Sequence, residues 1–254
     1  MSLRIAVLLT NDDRSPFAAR FANDADKVIA LLQPWRADWR LEVVPVKDGV
    51  LPESVQAFDG HVITGSPASV NDDKLPWLAP LLDFIRALHA ARRPLIGLCF
   101  GHQAVARALG GQVTHNAAGW GLGTATTHWA QARPWMQPAQ PSSTLMAAHN
   151  EQVSRMPEGA ECLGGSAFCP IGSMQIGQHI WTTQYHPEMP LVFMQALLGH
   201  LADKLDAATL ARAQASLGQP ADAPLFGRWM VQFVEHALAH SAESARSHAQ
   251  ESQA

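Results

Sequence analysis

Pro94-Leu95-Ile96-Gly97-Leu98-Cys99-Phe100-Gly101-His102-Gln103 is the stretch that decides how this chain is read. An apolar run ends at a cysteine set between glycines, and a helical pattern then carries on from Gln103 to Leu109. That order matches a strand–turn–helix elbow, which holds a nucleophile in strained backbone at the carboxyl end of a sheet. Glycines suit the flanks because side chains there would strike the neighbouring strand and helix. A thiol at a helix N-terminus lies beside unpaired amides and the positive end of the dipole, both of which favour thiolate. The amide of Phe100, first in the helix, is free to donate to an oxyanion formed next to the sulfur. Gly-x-Cys-x-Gly by itself is only moderately specific, and a buried, inert thiol is the commoner fate of a lone cysteine. The strand before it and the helix after it favour the nucleophile. Cys162 and Cys169 lack that setting and read as structural.

Outward from the elbow, short apolar runs alternate with helical spacing. Leu3–Leu9, Leu41–Val46, Gly60–Thr64 and Pro94–Leu98 read as strands. Phe17–Leu32 reads as a helix burying Phe21, Val28, Ile29 and Leu32, and Trp77–Leu88 as another, with Pro76 near its start. Continuous apolar strands separated by helices predict an α/β fold, a three-layer sandwich with a mostly parallel central sheet. From Gln112 to Trp181 the chain is rich in Gly, Thr, Pro and Trp with short alternating runs, which predicts antiparallel strands and long loops. Helices resume near Leu191, and Ala207–Leu217 and Pro224–Ala239 complete them; the latter is amphipathic through Leu225, Trp229, Met230, Phe233 and Leu238. The expected organisation is a main domain over 1–200, a C-terminal helical extension over 201–240 and a polar, frayed tail over 241–254.

Composition bounds the function. The chain has 254 residues, of which 47% are hydrophobic, enough for a substantial core. A net charge of -4 with its basic residues scattered argues against a nucleic-acid surface. The apolar N-terminal run is too short to span a membrane and lacks a cleavage site after it. Three cysteines with no CxxC pair fit a reducing compartment, so a cytoplasmic protein is expected. Among the 12 histidines only His236 and His240 stand at an HxxxH spacing and none at HxH; no metal site is expected, and nothing calls for a cofactor.

A second constellation closes the apolar run Ile180-Trp181: Thr182-Thr183-Gln184-Tyr185-His186-Pro187-Glu188. In extended chain His186 and Glu188 project to one side, and Pro187 restricts the backbone of both neighbours. A carboxylate beside an imidazole fixes its tautomer and stabilises the imidazolium. His186 would take the proton of Cys99 and return it to a departing amine. His102, three residues along a helix from Cys99, should point away from the sulfur.

Together these residues resemble the class I glutamine amidotransferase family, whose glutaminase domain carries Gly-[Ile/Leu]-Cys-x-Gly-x-Gln and His-Pro-Glu. Val62-Ile63-Thr64-Gly65-Ser66-Pro67 resembles the family's glycine–proline turn, and His149-Asn150-Glu151-Gln152-Val153 falls at its substrate-recognition loop. The resemblance spans about Leu3 to Gly199 and is nearest to stand-alone, GMP synthetase-like members. It implies a flavodoxin-like glutaminase fold and a γ-glutamyl thioester on Cys99, with His186 as base and Glu188 as orienter. It implies an oxyanion hole from the amide of Phe100 and one from the Gly65-Ser66 turn, with Ser66 favoured. Gln103 and backbone groups of Asn150 and Glu151 would hold the α-amino-acid end of the substrate. Ser66 departs from the family's usual Gly-Gly-Pro, and a serine flips its peptide less readily than a glycine.

The expected substrate is glutamine or a γ-glutamyl small molecule. Either the chain supplies ammonia to a synthetase partner, or it hydrolyses γ-glutamyl compounds unaided. Two readings of other classes stay open: a non-catalytic binding or regulatory module on the same fold, and a cysteine α/β-hydrolase acting on esters or lactones. An intact set of Cys, His and Glu weighs against the first, and His-Pro-Glu in one short segment weighs against the second.

Overall fold

The computed structural model describes residues 2–251. Five parallel strands lie side by side in the order β2 (Arg40–Val44), β1 (Arg4–Leu8), β3 (Gly60–Ile63), β4 (Leu95–Leu98), β11 (Ile180–Thr183). The sheet then continues antiparallel through β10 (Ser173–Ile176), β9 (Ala160–Gly165), β6 (Gly121–Trp129) and β7 (Ser142–His149). β5 (Gln112–His115) and β8 (Glu151–Arg155) form a separate antiparallel pair. Strands β3, β4 and β11 are buried along their whole length, as expected when helices cover both faces of a parallel sheet.

One covering layer is α2 (Leu78–Ala90) with α3 (Phe100–Ala108), packed through Leu81, Ile85, Leu88, Phe100 and Val105. The other is α1 (Asp24–Leu32) with α6 (Ala223–Glu251), packed through Val28, Leu32, Phe226, Trp229, Met230 and Phe233 against β1, β3, β4 and β11. A smaller cluster under α4 (Leu191–Leu201) and α5 (Ala207–Ser216) joins Met194, Leu198 and Ala213 to Leu122 and Met146 of β6 and β7. The three expected layers are therefore present, and the apolar face of α6 builds one of them.

Two expectations are corrected. The first helix begins at Asp24, not near Phe17, because the Asn23 side chain accepts from the Asp26 amide and caps it. Phe17 and Phe21 precede that helix and pack ring to ring with each other and with Phe193. The stretch after Ser241, expected to fray, continues α6 as far as Glu251, so the helix runs for 29 residues. Residues 252–254 of that expected tail lie outside the described residues.

The register sets up the site. Ile63 pairs with Gly97 and Leu98 with Thr183, so β3, β4 and β11 end level with one another. Their outgoing turns, carrying Thr64-Gly65, Cys99 and Gln184 to Glu188, meet at the carboxyl edge where open α/β sheets bind ligands.

Candidate active site

Cys99 sits between β4 and α3 with φ 47° and ψ -99°, in the left-handed half of backbone space that a residue with a Cβ rarely occupies. Its amide donates to Thr183 O at 2.9 Å and its carbonyl accepts from Gln103 N at 3.1 Å, so the strained turn is held from both sides. The need for glycine on either flank is direct. A Cβ on Gly97 would come within 2.6 Å of Gly101 O, and one on Gly101 within 2.6 Å of Ile63 O. The sharp turn therefore requires β4, α3 and β3 to touch backbone to backbone.

His186 approaches from the end of β11. Its amide donates to Met146 O at 2.8 Å, which ties it to β7. Its Nδ1 is 2.8 Å from Glu188 Oε1; as the carboxylate accepts, Nδ1 carries the proton. Both side chains are buried, with Nε2 of His186 lacking a hydrogen-bond partner among the described residues. Burial works against a charge on this ring, but Cys99 and then Glu188 oppose it and hold the His186 pKa well above the ordinary histidine value. The imidazole thus keeps a proton between a carboxylate and a sulfur, the electrostatic arrangement of a nucleophile and its base.

The Gly65 turn closes the group. A Cβ on Gly65 would lie 2.6 Å from His186 Cε1 and 3.6 Å from Cys99 Cβ, so this glycine makes room for the imidazole beside the cysteine. Gln184, which sequence reading passed over, donates from Nε2 to Cys99 Sγ at 3.6 Å and is fully buried. It lies two positions before His186 in a segment that bends at Gln184 and Tyr185 and turns at Pro187 and Glu188, so the extended chain expected for His186 and Glu188 is replaced by a turn. His102 points away from the sulfur, as expected, with Nδ1 2.7 Å from Thr182 Oγ1, and burial lowers its pKa to about 3.

The cysteine opens into a cavity of about 430 Å³ shared by Ser66, Cys99, Gln103, Asn150, Glu151 and His186. Gln103 spends its Nε2 protons inside the protein, on Glu151 O at 2.8 Å and Gln184 Oε1 at 3.2 Å. His149 Nδ1 also donates to Glu151 O, at 3.1 Å, and Asn150 O accepts from Asn116 N at 2.8 Å. Both backbone carbonyls of the expected recognition loop therefore already have donors, while Ser69 Oγ donates to the Glu151 carboxylate at 2.8 Å. The cavity is also lined by Phe17, Met189, Phe193 and Leu197 together with Asn11, Asp13, Asp24 and His200, a mixed apolar and polar wall that sequence reading did not anticipate. Those residues come from α1, α4 and loops far apart in sequence, with no local signal to unite them. Among the described residues no cluster of His, Cys, Asp and Glu is arranged to hold a metal ion.

A family model described as Glutamine amidotransferase class-I matches residues 35–194. The chain belongs to that family. Gamma-glutamyl peptidase 3 of Arabidopsis thaliana is 29% identical over 153 residues, 56% of this chain and 60% of the peptidase, so the match spans less than two thirds of that relative. A subunit of the glutamine-hydrolyzing GMP synthase of Sulfolobus acidocaldarius is 31% identical over 153 residues, covering 59% of this chain and 77% of that relative. A solved glutamine amido transferase from Methylobacillus flagellatus superposes with a TM-score of 0.70 over 94% of each chain at 22% identity, a likeness of fold. The α/β architecture of this class I amidotransferase is the one the sequence predicted. Among its described residues no helix is long and apolar enough to cross a membrane.

Proposed function

We propose that this chain hydrolyses the γ-amide bond of γ-glutamyl compounds through Cys99, His186 and Glu188. His186 takes the thiol proton first, becoming the imidazolium that Cys99 and Glu188 favour, and Cys99 Sγ then bonds to the γ-carbonyl carbon. His186 then gives that proton to the departing nitrogen as the C–N bond breaks, leaving a γ-glutamyl thioester. Water, deprotonated by His186, attacks the thioester and releases glutamate and the thiol. Glu188 keeps Nδ1 protonated and Nε2 available throughout. The amides of Phe100 and Ser66 hold the oxyanion in both tetrahedral intermediates. The observation that carries this reading is the buried Glu188–His186 pair whose proton affinity Cys99 raises.

The α-amino-acid end of the substrate lies toward Gln103, Asn150 and Glu151. The departing nitrogen leaves toward its proton donor, His186, where Met189, Phe193 and Phe17 line the cavity. That mixed wall, with Asp13, Asp24 and His200 beside the aromatic rings, leaves room for a substituent on the nitrogen and favours N-substituted γ-glutamyl amides over free glutamine. The likeness to a GMP synthase subunit supports a second reading, release of ammonia from glutamine to a synthetase partner.

The test is a panel of glutamine and γ-glutamyl amides bearing small, charged and aromatic amines, with the purified chain alone. Amine or ammonia release should be abolished by Cys99→Ala, and a diazo-ketone analogue of glutamine should add its mass at Cys99. Preference for aromatic amides supports the unaided hydrolase, and turnover of glutamine only after a synthetase is added supports the second reading. No turnover and no labelling of Cys99 would refute both.

A further inference from the structure

We infer that the hydroxyls of Thr10 and Thr64 are positioning groups that hold the Gly65–Ser66 peptide with its N–H turned into the cavity. The inference rests on the proposed reaction and assigns a role to two residues outside the Cys99–His186–Glu188 group. Thr10 follows β1 and Thr64 follows β3, and because those strands pair Leu8 with Ile63, the two threonines emerge side by side. Both are fully buried.

The hydrogen bonds leave little freedom. Gly65 O lies 3.1 Å from Thr10 Oγ1 and 3.1 Å from Thr64 Oγ1. Thr10 N donates to Thr64 Oγ1 at 3.1 Å, and the Thr64 proton has two acceptors in reach, Gly65 O at 3.1 Å and Thr10 Oγ1 at 3.0 Å. The Thr10 proton has three, Thr64 Oγ1, Thr64 O and Gly65 O; when it goes to Thr64 Oγ1, the Thr64 proton is left to Gly65 O. Ser66 adds a clasp of its own: its Oγ donates to Thr10 O at 3.1 Å and accepts from Ala68 N at 3.2 Å.

A trans peptide is planar with its C=O and N–H pointing in opposite directions, so fixing one fixes the other. With the Gly65 carbonyl turned toward Thr10 and Thr64, the Ser66 N–H faces the opposite side. Ser66 and Cys99 line the cavity there, and Thr10 and Thr64 do not. Among the described residues the Ser66 N–H is not spent on any turn or loop carbonyl. Flipping this peptide would take the Gly65 carbonyl away from two buried hydroxyls in a place closed to water, and it would aim a carbonyl at the nucleophile. Serine in place of a second glycine is therefore part of a fixed donor: its side chain binds the end of β1 rather than hindering the turn. The consequence is an oxyanion site standing formed in the chain by itself.

The experiment compares Thr10→Val, Thr64→Val and the double variant with Thr10→Ser and Thr64→Ser, all in the full chain. Expected for the valine variants is a fall in kcat of roughly tenfold each and up to about a hundredfold together, approaching the loss seen when one oxyanion donor is removed. KM, thermal midpoint and the rate at which iodoacetamide alkylates Cys99 should stay within about twofold or a few degrees, since neither binding nor thiol reactivity needs this donor. The serine variants, which keep the hydroxyl, should recover most of the loss. Valine variants that fold and retain more than half of kcat would overturn the inference. So would a loss that appears in KM or in alkylation, or one the serine variants fail to restore. Crystal structures of the parent and the double valine variant give a readout independent of turnover. The Gly65 carbonyl should face residue 10 in the parent and become flipped or mixed in the variant, and an unchanged carbonyl would refute the clamp. A parent that turns over no γ-glutamyl amide would sink the proposed function while leaving that structural comparison decisive.

Discussion

Gly65→Ala is the sharpest test of the site, because it adds one methyl group and removes nothing. The new Cβ would stand 2.6 Å from His186 Cε1 and 3.2 Å from Nδ1; the ring must retreat by about 0.8 Å to reach 3.4 Å, the near edge of ordinary contact. It cannot simply rotate away. Nδ1 is held by Glu188 at 2.8 Å, and the backbone amide is held by Met146 O at 2.8 Å. Retreat therefore moves Nε2 away from the thiol or breaks the bond to Glu188, and both damage proton transfer. A misplacement of about 1 Å costs on the order of a hundredfold in rate, so kcat/KM for the best γ-glutamyl substrate should fall by roughly that factor. Gly65 does not have the left-handed φ that would make alanine costly by itself, so the thermal midpoint should move by only a few degrees. The assay is steady-state release of amine, with circular dichroism to show that the variant is folded. A folded Gly65→Ala chain keeping a third or more of the parent kcat/KM would show that the imidazole is not confined as described, and the mechanism would lose its base.

Glu188→Gln should shift the pH dependence in a definite direction. Cys99 and Glu188 raise the His186 pKa against burial, so the working imidazolium persists above the ordinary value, and activity is lost as pH rises through the raised one. Removing the carboxylate should move the alkaline limb of kcat/KM to lower pH; a limb that stays in place would mean that Glu188 has no hold on the ring. Trp229→Ala tests whether α6 belongs to the fold. Trp229 is wholly buried, donates from Nε1 to Pro138 O at 3.2 Å and packs edge-on to Trp129, so its removal should cost about 3–5 kcal/mol in denaturant unfolding. A loss under about 1 kcal/mol would make the helix an appendage.

How much of this was legible depended on how far apart the cooperating residues lie. The elbow around Cys99 was readable because strand, glycine, nucleophile and helix follow one another within ten residues, each with its own local signal. His186 and Glu188 were readable because they flank one proline, although the segment turns there and is not the extended chain that the alternation assumed. Gln184 belongs to the same short segment and was missed because an amide carries no chemical flag until its sulfur neighbour is seen. Start and stop of helices followed competing local chemistry. Asn23 capped α1 in the middle of what hydrophobic spacing alone read as one continuous helix, and Ala, Glu and Ser after residue 241 sustained a helix that composition read as a tail.

The threonine pair shows a different kind of limit. Thr10 and Thr64 are 54 positions apart and each looks like punctuation at the end of a strand. Their meeting is a consequence of sheet register, Leu8 opposite Ile63, and register is invisible until the strands are paired. Once it is known, the assignment of roles at the turn changes. Read alone, Ser66 is a departure that stiffens a peptide expected to move. In the folded chain its side chain is bonded to the end of β1, with Thr10 joined to the turn through both main chain and side chain. If the donor is held by the ends of two core strands as inferred, no second protein is needed to assemble the oxyanion site, and activity of the purified chain without a partner is the outcome this predicts.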